Sequence, residues 1–116
     1  MASITIYHNP RCTKSRATLA LLQERGASLK IVEYLQSPPN ADELTSILAK
    51  LKLSAAEFMR KGEASYEAHV AGRSLDDRQL IEIMVQYPEL IERPVVVMGD
   101  RAIIGRPPEN LFELFK

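Results

Sequence analysis

The chain has a single cysteine, Cys12, in the run Ile4-Thr5-Ile6-Tyr7-His8-Asn9-Pro10-Arg11-Cys12-Thr13-Lys14-Ser15-Arg16. The β-rich stretch Ile4 to Tyr7 breaks at Asn9-Pro10, and helical spacing follows through Leu19-Ala20-Leu21-Leu22. Cys12 is therefore expected at the N-terminus of a helix. A sulfur there faces unpaired backbone N–H groups and the positive end of the helix dipole. Arg11, Lys14, Arg16 and His8 add positive charge nearby. All of these favour the thiolate, which is the nucleophile. Lone cysteines are commonly inert buried residues. The polar, cationic flanks of Cys12 argue for a reactive thiol instead.

Two further residues belong with the sulfur. Ser15 completes a Cys-x-x-Ser pattern, and its hydroxyl is expected to hydrogen-bond the thiolate and lower its basicity. His8, four residues before Cys12, has two readings. It is either an imidazolium that helps the thiolate form, or a residue that orders the loop through hydrogen bonds. A dithiol enzyme needs a second sulfur to resolve a mixed disulfide, and this chain has none. Any resolving thiol must come from outside, and glutathione or a glutaredoxin is the natural candidate.

Arginine is the second signal. Arg93 precedes Pro94, and Arg106 stands between Gly105 and Pro107. Such rigid loop positions can aim a side chain, and the planar arginine fork suits tetrahedral oxyanions. Arg60, at the end of a helical segment, is the weakest of the three from sequence alone. His69 stands apart and reads as a surface residue. One cysteine and two histidines form no metal cluster, so no metal site is expected.

The totals bound the class. A chain of 116 residues is one domain of ordinary size. Acidic and basic residues balance at 15 each, which argues against a dedicated nucleic-acid surface. No apolar run approaches a membrane span. The chain opens directly on a strand pattern rather than a signal-peptide layout. One cysteine forms no internal disulfide, so a reducing, cytoplasmic setting is expected.

The elements that must position these residues follow from local pattern. Ile4 to Tyr7 is a strand, Cys12 to about Arg25 a helix closed by Gly26, and Leu29 to Leu35 a second strand. Strand, helix and strand imply a parallel pair. Asn40 with Glu43, and Ser54 with Glu57, form capping-box patterns for two helices, to about Leu51 and near Arg60. Lys61 to Ser65 reads as loop, and a helical turn is expected at Tyr66 to Ala71. Asp76 to Gln86 is a helix with Leu80, Ile81, Met84 and Val85 as its apolar stripe. Val95 to Met98 and Arg101 to Ile104 form a hairpin about Gly99-Asp100. Glu109 to Phe115 closes the chain as a helix. The order is βαβ, a helical block over about residues 37–91, then ββα. That is an α/β, thioredoxin-like core with a helical insertion, expected as a single domain over residues 1–116.

The chain as a whole resembles a known family. The segment Ile6 to Arg16, with its His-Asn-Pro-x-Cys-x-x-Ser-Arg pattern, is similar to the active-site loop of the glutathione/glutaredoxin-dependent arsenate reductases. The resemblance continues through Tyr34-Leu35 with Pro38-Pro39, Phe58-Met59-Arg60-Lys61, Glu92-Arg93-Pro94-Val95-Val96-Val97 and Gly105-Arg106-Pro107. The short end after the last helix is most similar to the chromosomal subgroup. Thr13-Lys14 stands where the best-known members carry smaller, uncharged residues.

The resemblance implies an oxidoreductase. The position of Cys12 would attack arsenate, and those of Arg60, Arg93 and Arg106 would bind the oxyanion. His8 and Ser15 would belong to the network that activates the thiolate, with Arg16 beside them. It also implies a cis peptide between Arg93 and Pro94. Glutathione would be a co-substrate and glutaredoxin a partner, with no bound cofactor, nucleic acid or membrane. The chain is expected to act as a monomer. The alternatives are an Spx-like transcriptional regulator that binds RNA polymerase, and a glutathione-dependent thiol transferase. Ser15 in place of a second cysteine disfavours the first, and the arginine set is unnecessary for the second.

Overall fold

The computed structural model describes residues 3–26 and 28–115. They divide into two compact units. The first comprises Met1–Ser37 with Arg93–Lys116, and the second Pro38–Glu92.

The first unit carries the sheet. Strand β1 (Ser3–His8) leads into helix α1 (Thr13–Glu24), and strand β2 (Ser28–Glu33) returns beside β1. The pair is parallel, with Ile4 opposite Leu29, Ile6 opposite Ile31 and His8 opposite Glu33. Strands β3 (Val95–Met98) and β4 (Arg101–Ile104) form an antiparallel hairpin, and β3 pairs antiparallel with β1. The sheet order is β2-β1-β3-β4. The hairpin turn places Gly99 at φ 62°, a backbone region that favours glycine. The fold is α/β and thioredoxin-like, as the element order implies.

Period-two alternation buries Ile4, Ile6 and His8 on one face of β1. Ser15, Thr18 and Leu22 form the buried stripe of α1, at helical spacing. Ile4, Ile6, Leu22, Val96, Leu111 and Leu114 form the core of this unit. The two stripes end in polar residues at the same end, His8 on the strand and Ser15 on the helix. The apolar packing below thus sets the polar pair above.

The second unit is helical, with no strand among its described residues. It holds α2 (Ala41–Leu51), α3 (Ala55–Phe58), α4 (Ala64–His69), α5 (Asp77–Gln86) and a 3₁₀ turn at Pro88–Leu90. The Asn40/Glu43 and Ser54/Glu57 capping boxes both form, and Asp76 with Gln79 makes a third at α5. Leu44, Ile47 and Leu48 of α2 and Leu80, Ile81 and Met84 of α5 are buried, and the two helices pack together.

Five sequence expectations shift. Strand β2 stops at Glu33 rather than Leu35, because the N–H groups of Gln36 and Ser37 both donate to the Glu33 carbonyl and turn the chain. Helix α4 begins two residues earlier than expected, at Ala64. Val85 is only partly buried and lies at the edge of the α5 stripe. His69 is half-buried rather than on the surface, with its ring stacked on Tyr87 at 4.2 Å. The closing segment Pro108–Phe115 is a 3₁₀ helix. Its buried residues, Pro108, Leu111 and Leu114, recur every three residues, and a three-residue turn aligns them on one face. The Arg25 guanidinium covers the Phe115 ring at 4.0 Å.

One close approach ties the loops together. A Cβ on Gly105 would lie 2.5 Å from Thr18 Oγ1 and 2.9 Å from Pro94 Cγ. The Gly105 N–H donates to the Pro94 carbonyl (2.9 Å), and Thr18 Oγ1 donates to the Gly105 carbonyl (3.3 Å). Gly105→Ala is expected to cost roughly 1–3 kcal/mol of stability, the usual penalty of overpacking. Gly62→Ala, which meets nothing within 4 Å, should change stability by less than about 0.5 kcal/mol. Urea unfolding of the two variants checks this contrast, and equal midpoints would refute it.

Candidate active site

Cys12 is the N-cap of α1, in extended conformation at φ −93° and ψ 123°. Its N–H donates to the Asn9 carbonyl (3.0 Å), and Asn9 Oδ1 accepts the Arg11 N–H (3.0 Å). These bonds close the loop after β1, and the Arg16 N–H then starts the helix by donating to the Cys12 carbonyl (3.0 Å). The sulfur sits at the N-cap position without making a side-chain cap hydrogen bond. The N–H groups of Ser15 and Lys14, three and two residues on, face it and favour the thiolate.

Cys12 is only 9% exposed. Burial alone pushes its thiol up. The Ser15 N–H, the hydrogen bond and charge of Arg93, and the Lys14 N–H act the other way. Together they hold the thiol below its ordinary value. Arg106 Nη1 also donates toward Cys12 Sγ, at 3.8 Å. Two arginines from separate loops therefore converge on one sulfur. Both precede prolines, and both peptide bonds, Arg93-Pro94 and Arg106-Pro107, are cis. The second of these was not expected from sequence. Asn110 Nδ2 donates to the carbonyls of Ile104 (3.1 Å) and Arg106 (3.2 Å), fixing the second loop.

The remaining candidates take different places. His8 is buried, with Nδ1 2.6 Å from Ser15 Oγ. Burial lowers its pKa, Glu33 raises it and Arg16 lowers it, and the net direction is down. Near neutral pH it is an uncharged imidazole, which is the loop-ordering reading rather than the imidazolium one. The Ser15 hydroxyl serves His8 and accepts the Asn9 N–H (3.0 Å). Serine reaches the sulfur through its backbone N–H instead of its hydroxyl. Arg16 is exposed and donates to the Pro10 carbonyl (2.9 Å) and Thr13 Oγ1 (3.4 Å), so it braces the loop. The positive charge on the sulfur comes from Arg93, distant in sequence, rather than from the flanking Arg11 and Arg16.

Arg60 belongs to the second unit. Its N–H donates to the Leu90 carbonyl (2.8 Å), and Nη2 lies 3.9 Å from Glu63. Its Nη1 is buried with no hydrogen-bond partner. No cluster of three or more metal-ligating side chains occurs among the described residues.

The ArsC family model matches residues 7–114. The chain belongs to the ArsC family. It is 48% identical to the uncharacterised protein YfgD of Escherichia coli K12, over 96% of this chain and 95% of that one. It is 42% identical to an arsenate reductase of Neisseria meningitidis serogroup A, over 96% and 97% of the two chains. The solved arsenate reductase of Vibrio cholerae superposes with a TM-score of 0.92 at 42% identity, covering 97% of each chain. Within this ArsC chain the family match spans the Cys12 loop and both arginine–proline turns. No helix among the described residues is long and apolar enough to cross a membrane.

Arg93→Ala should move Cys12 ionisation to higher pH, since it removes both a hydrogen bond and a charge that favour the thiolate. Alkylation near neutral pH should slow by a factor of ~3–10. Arg93→Lys should recover only part of the rate, because the fork is lost. Iodoacetamide rates measured against pH decide the point, and an unmoved midpoint would count against Arg93.

Proposed function

We propose that this ArsC protein is an arsenate reductase that works with external thiols. The observation that carries the reading is the convergence of Arg93 and Arg106 on a Cys12 sulfur held below the ordinary thiol range. A nucleophile and two planar cations at one point suit attack on a tetrahedral oxyanion. The relatives named arsenate reductase support the same substrate.

In this reading Arg93 and Arg106 hold the arsenate oxygens, and the Cys12 thiolate attacks arsenic. An arsenic–sulfur bond forms, and one oxygen leaves as water after protonation. The arginines offset the charge that develops on the remaining oxygens. Arg60 would supply a third cation, an assignment that rests on the family resemblance. Cys12 has no second cysteine to resolve the adduct. A glutathione thiolate then adds to arsenic with loss of a second oxygen as water. A glutaredoxin thiolate attacks the glutathione sulfur, forming a mixed disulfide and leaving As(III) on Cys12. Water cleaves that last sulfur–arsenic bond to release arsenite and the thiol. No bound metal or organic cofactor enters these steps. The reductant is a cytoplasmic thiol pool, and the chain acts as a monomer.

The test is arsenate-dependent NADPH oxidation with glutathione, glutathione reductase and glutaredoxin. Wild type should turn over, and Cys12→Ser should not, because a serine hydroxyl is a far weaker nucleophile near neutral pH. Arg93→Ala and Arg106→Ala should each lower kcat/KM by roughly 10²–10³-fold. No turnover with any thiol donor, together with RNA polymerase binding that survives Cys12→Ser, would replace the enzyme by a regulator.

A further inference from the structure

We propose that Glu33 is a positioning residue that orients His8 and, through Ser15, the loop that holds Cys12. The inference deepens the reading of Cys12 as the reacting thiol and rests on it. His8 is the last residue of β1 and Glu33 the last of β2, and the two are register partners in the parallel pair. Lateral neighbours in a sheet project to the same face. Glu33 therefore stands beside the imidazole, at the end of the strands where Cys12 lies. Its backbone is fixed there, since its carbonyl accepts from Gln36 (3.0 Å) and Ser37 (2.9 Å).

The hydrogens around Ser15 fix the direction of the relay. Ser15 is fully buried, and its Oγ accepts the Asn9 N–H at 3.0 Å while lying 2.6 Å from His8 Nδ1. If His8 carried its proton on Nδ1, Ser15 Oγ would accept two N–H groups. The serine hydrogen would then be buried without an acceptor, which is unfavourable. If the proton sits on Nε2, the serine O–H donates to Nδ1 and every hydrogen has a place. In this proposal the Glu33 carboxylate, beside His8 in register, acts at Nε2, where it would attract the N–H and favour that second tautomer. Glu33 thus selects the form of His8 that holds Ser15, whose own N–H is aimed at the sulfur.

Two charged groups act on the imidazole, Glu33 from β2 and Arg16 from α1, with opposite signs. The order carboxylate, imidazole, hydroxyl is that of a nucleophilic triad. Here it has a different use. Ser15 is 0% exposed, so no substrate reaches its oxygen, and the relay serves the neighbouring sulfur.

Glu33→Gln tests the assignment, and Glu33 is exposed on a strand end, where glutamine is readily accommodated. The first readout is the pair of imidazole ¹⁵N shifts of His8. Wild type should show the Nε2–H tautomer near neutral pH. Glu33→Gln should show a mixture, with the His8 titration moved to lower pH. The second readout is the alkylation rate of Cys12 near neutral pH. Loss of the relay should slow it roughly two- to fivefold. Mere removal of a negative charge acting through space would speed it. In a His8→Asn background the same substitution should leave the rate unchanged. An Nδ1–H tautomer in wild type, unchanged shifts in Glu33→Gln, or a rate that rises or is equally slowed in both backgrounds would overturn the proposal. Neither readout uses arsenate, so a failure of the arsenate reading leaves a separate result.

Discussion

A thiolate that is only 9% exposed is costly unless its charge is met. The site is arranged around that constraint. Two backbone N–H groups of the first helical turn reach the sulfur, and they are available because an N-terminal turn has no intrahelical partners for them. Arg93 adds a hydrogen bond and a full charge, and Arg106 Nη1 donates toward the sulfur at 3.8 Å. Burial alone would leave Cys12 an inert thiol. The partners reverse that outcome, and they do so with groups that also suit an incoming oxyanion.

The partners come from three parts of the chain, so their placement depends on packing. Gly105 is the meeting point. Its missing side chain lets Thr18 of α1, the Pro94 turn and the Arg106 turn come together. Thr18 lies one helical turn below Ser15, on the same buried stripe. A shift at Gly105 would therefore move the helix that carries the cysteine relative to both arginine turns. The residue does no chemistry, yet the distances at the sulfur rest on it.

Much of this was legible in sequence, for identifiable reasons. Capping boxes are local, so the Asn40 and Ser54 helix starts could be read directly. Alternation in β1 and helical spacing in α1 gave the βαβ start. The 3₁₀ form of Pro108–Phe115 was missed because a spacing of three also occurs in α-helices. The sources of charge on Cys12 were misassigned for a similar reason. Arg11 and Arg16 are near in sequence, but the guanidinium that acts on the sulfur is more than eighty positions away. Proximity along the chain is a weak guide once a strand and a helix intervene. Glu33 carried no signal, because its meaning comes only from the register with His8. Gly105 stands next to Arg106-Pro107 in the sequence, and nothing local reveals the close approach by Thr18.

The charge balance of the site has one further consequence. Once Cys12 is ionised, one thiolate is faced by two guanidinium groups. A doubly charged oxyanion would bring the total to three negative charges against two positive ones. In a poorly solvated site such an imbalance opposes the approach of nucleophile and substrate. A third cation would remove it. In the proposed reaction, attack on arsenic would spread the charge of the sulfur onto the adduct, and the arginines facing the sulfur would be left to hold the oxygens. The same groups could thus serve both states in turn, because the planar arginine fork holds two oxygens of one anion side by side, a geometry the lysine ammonium lacks.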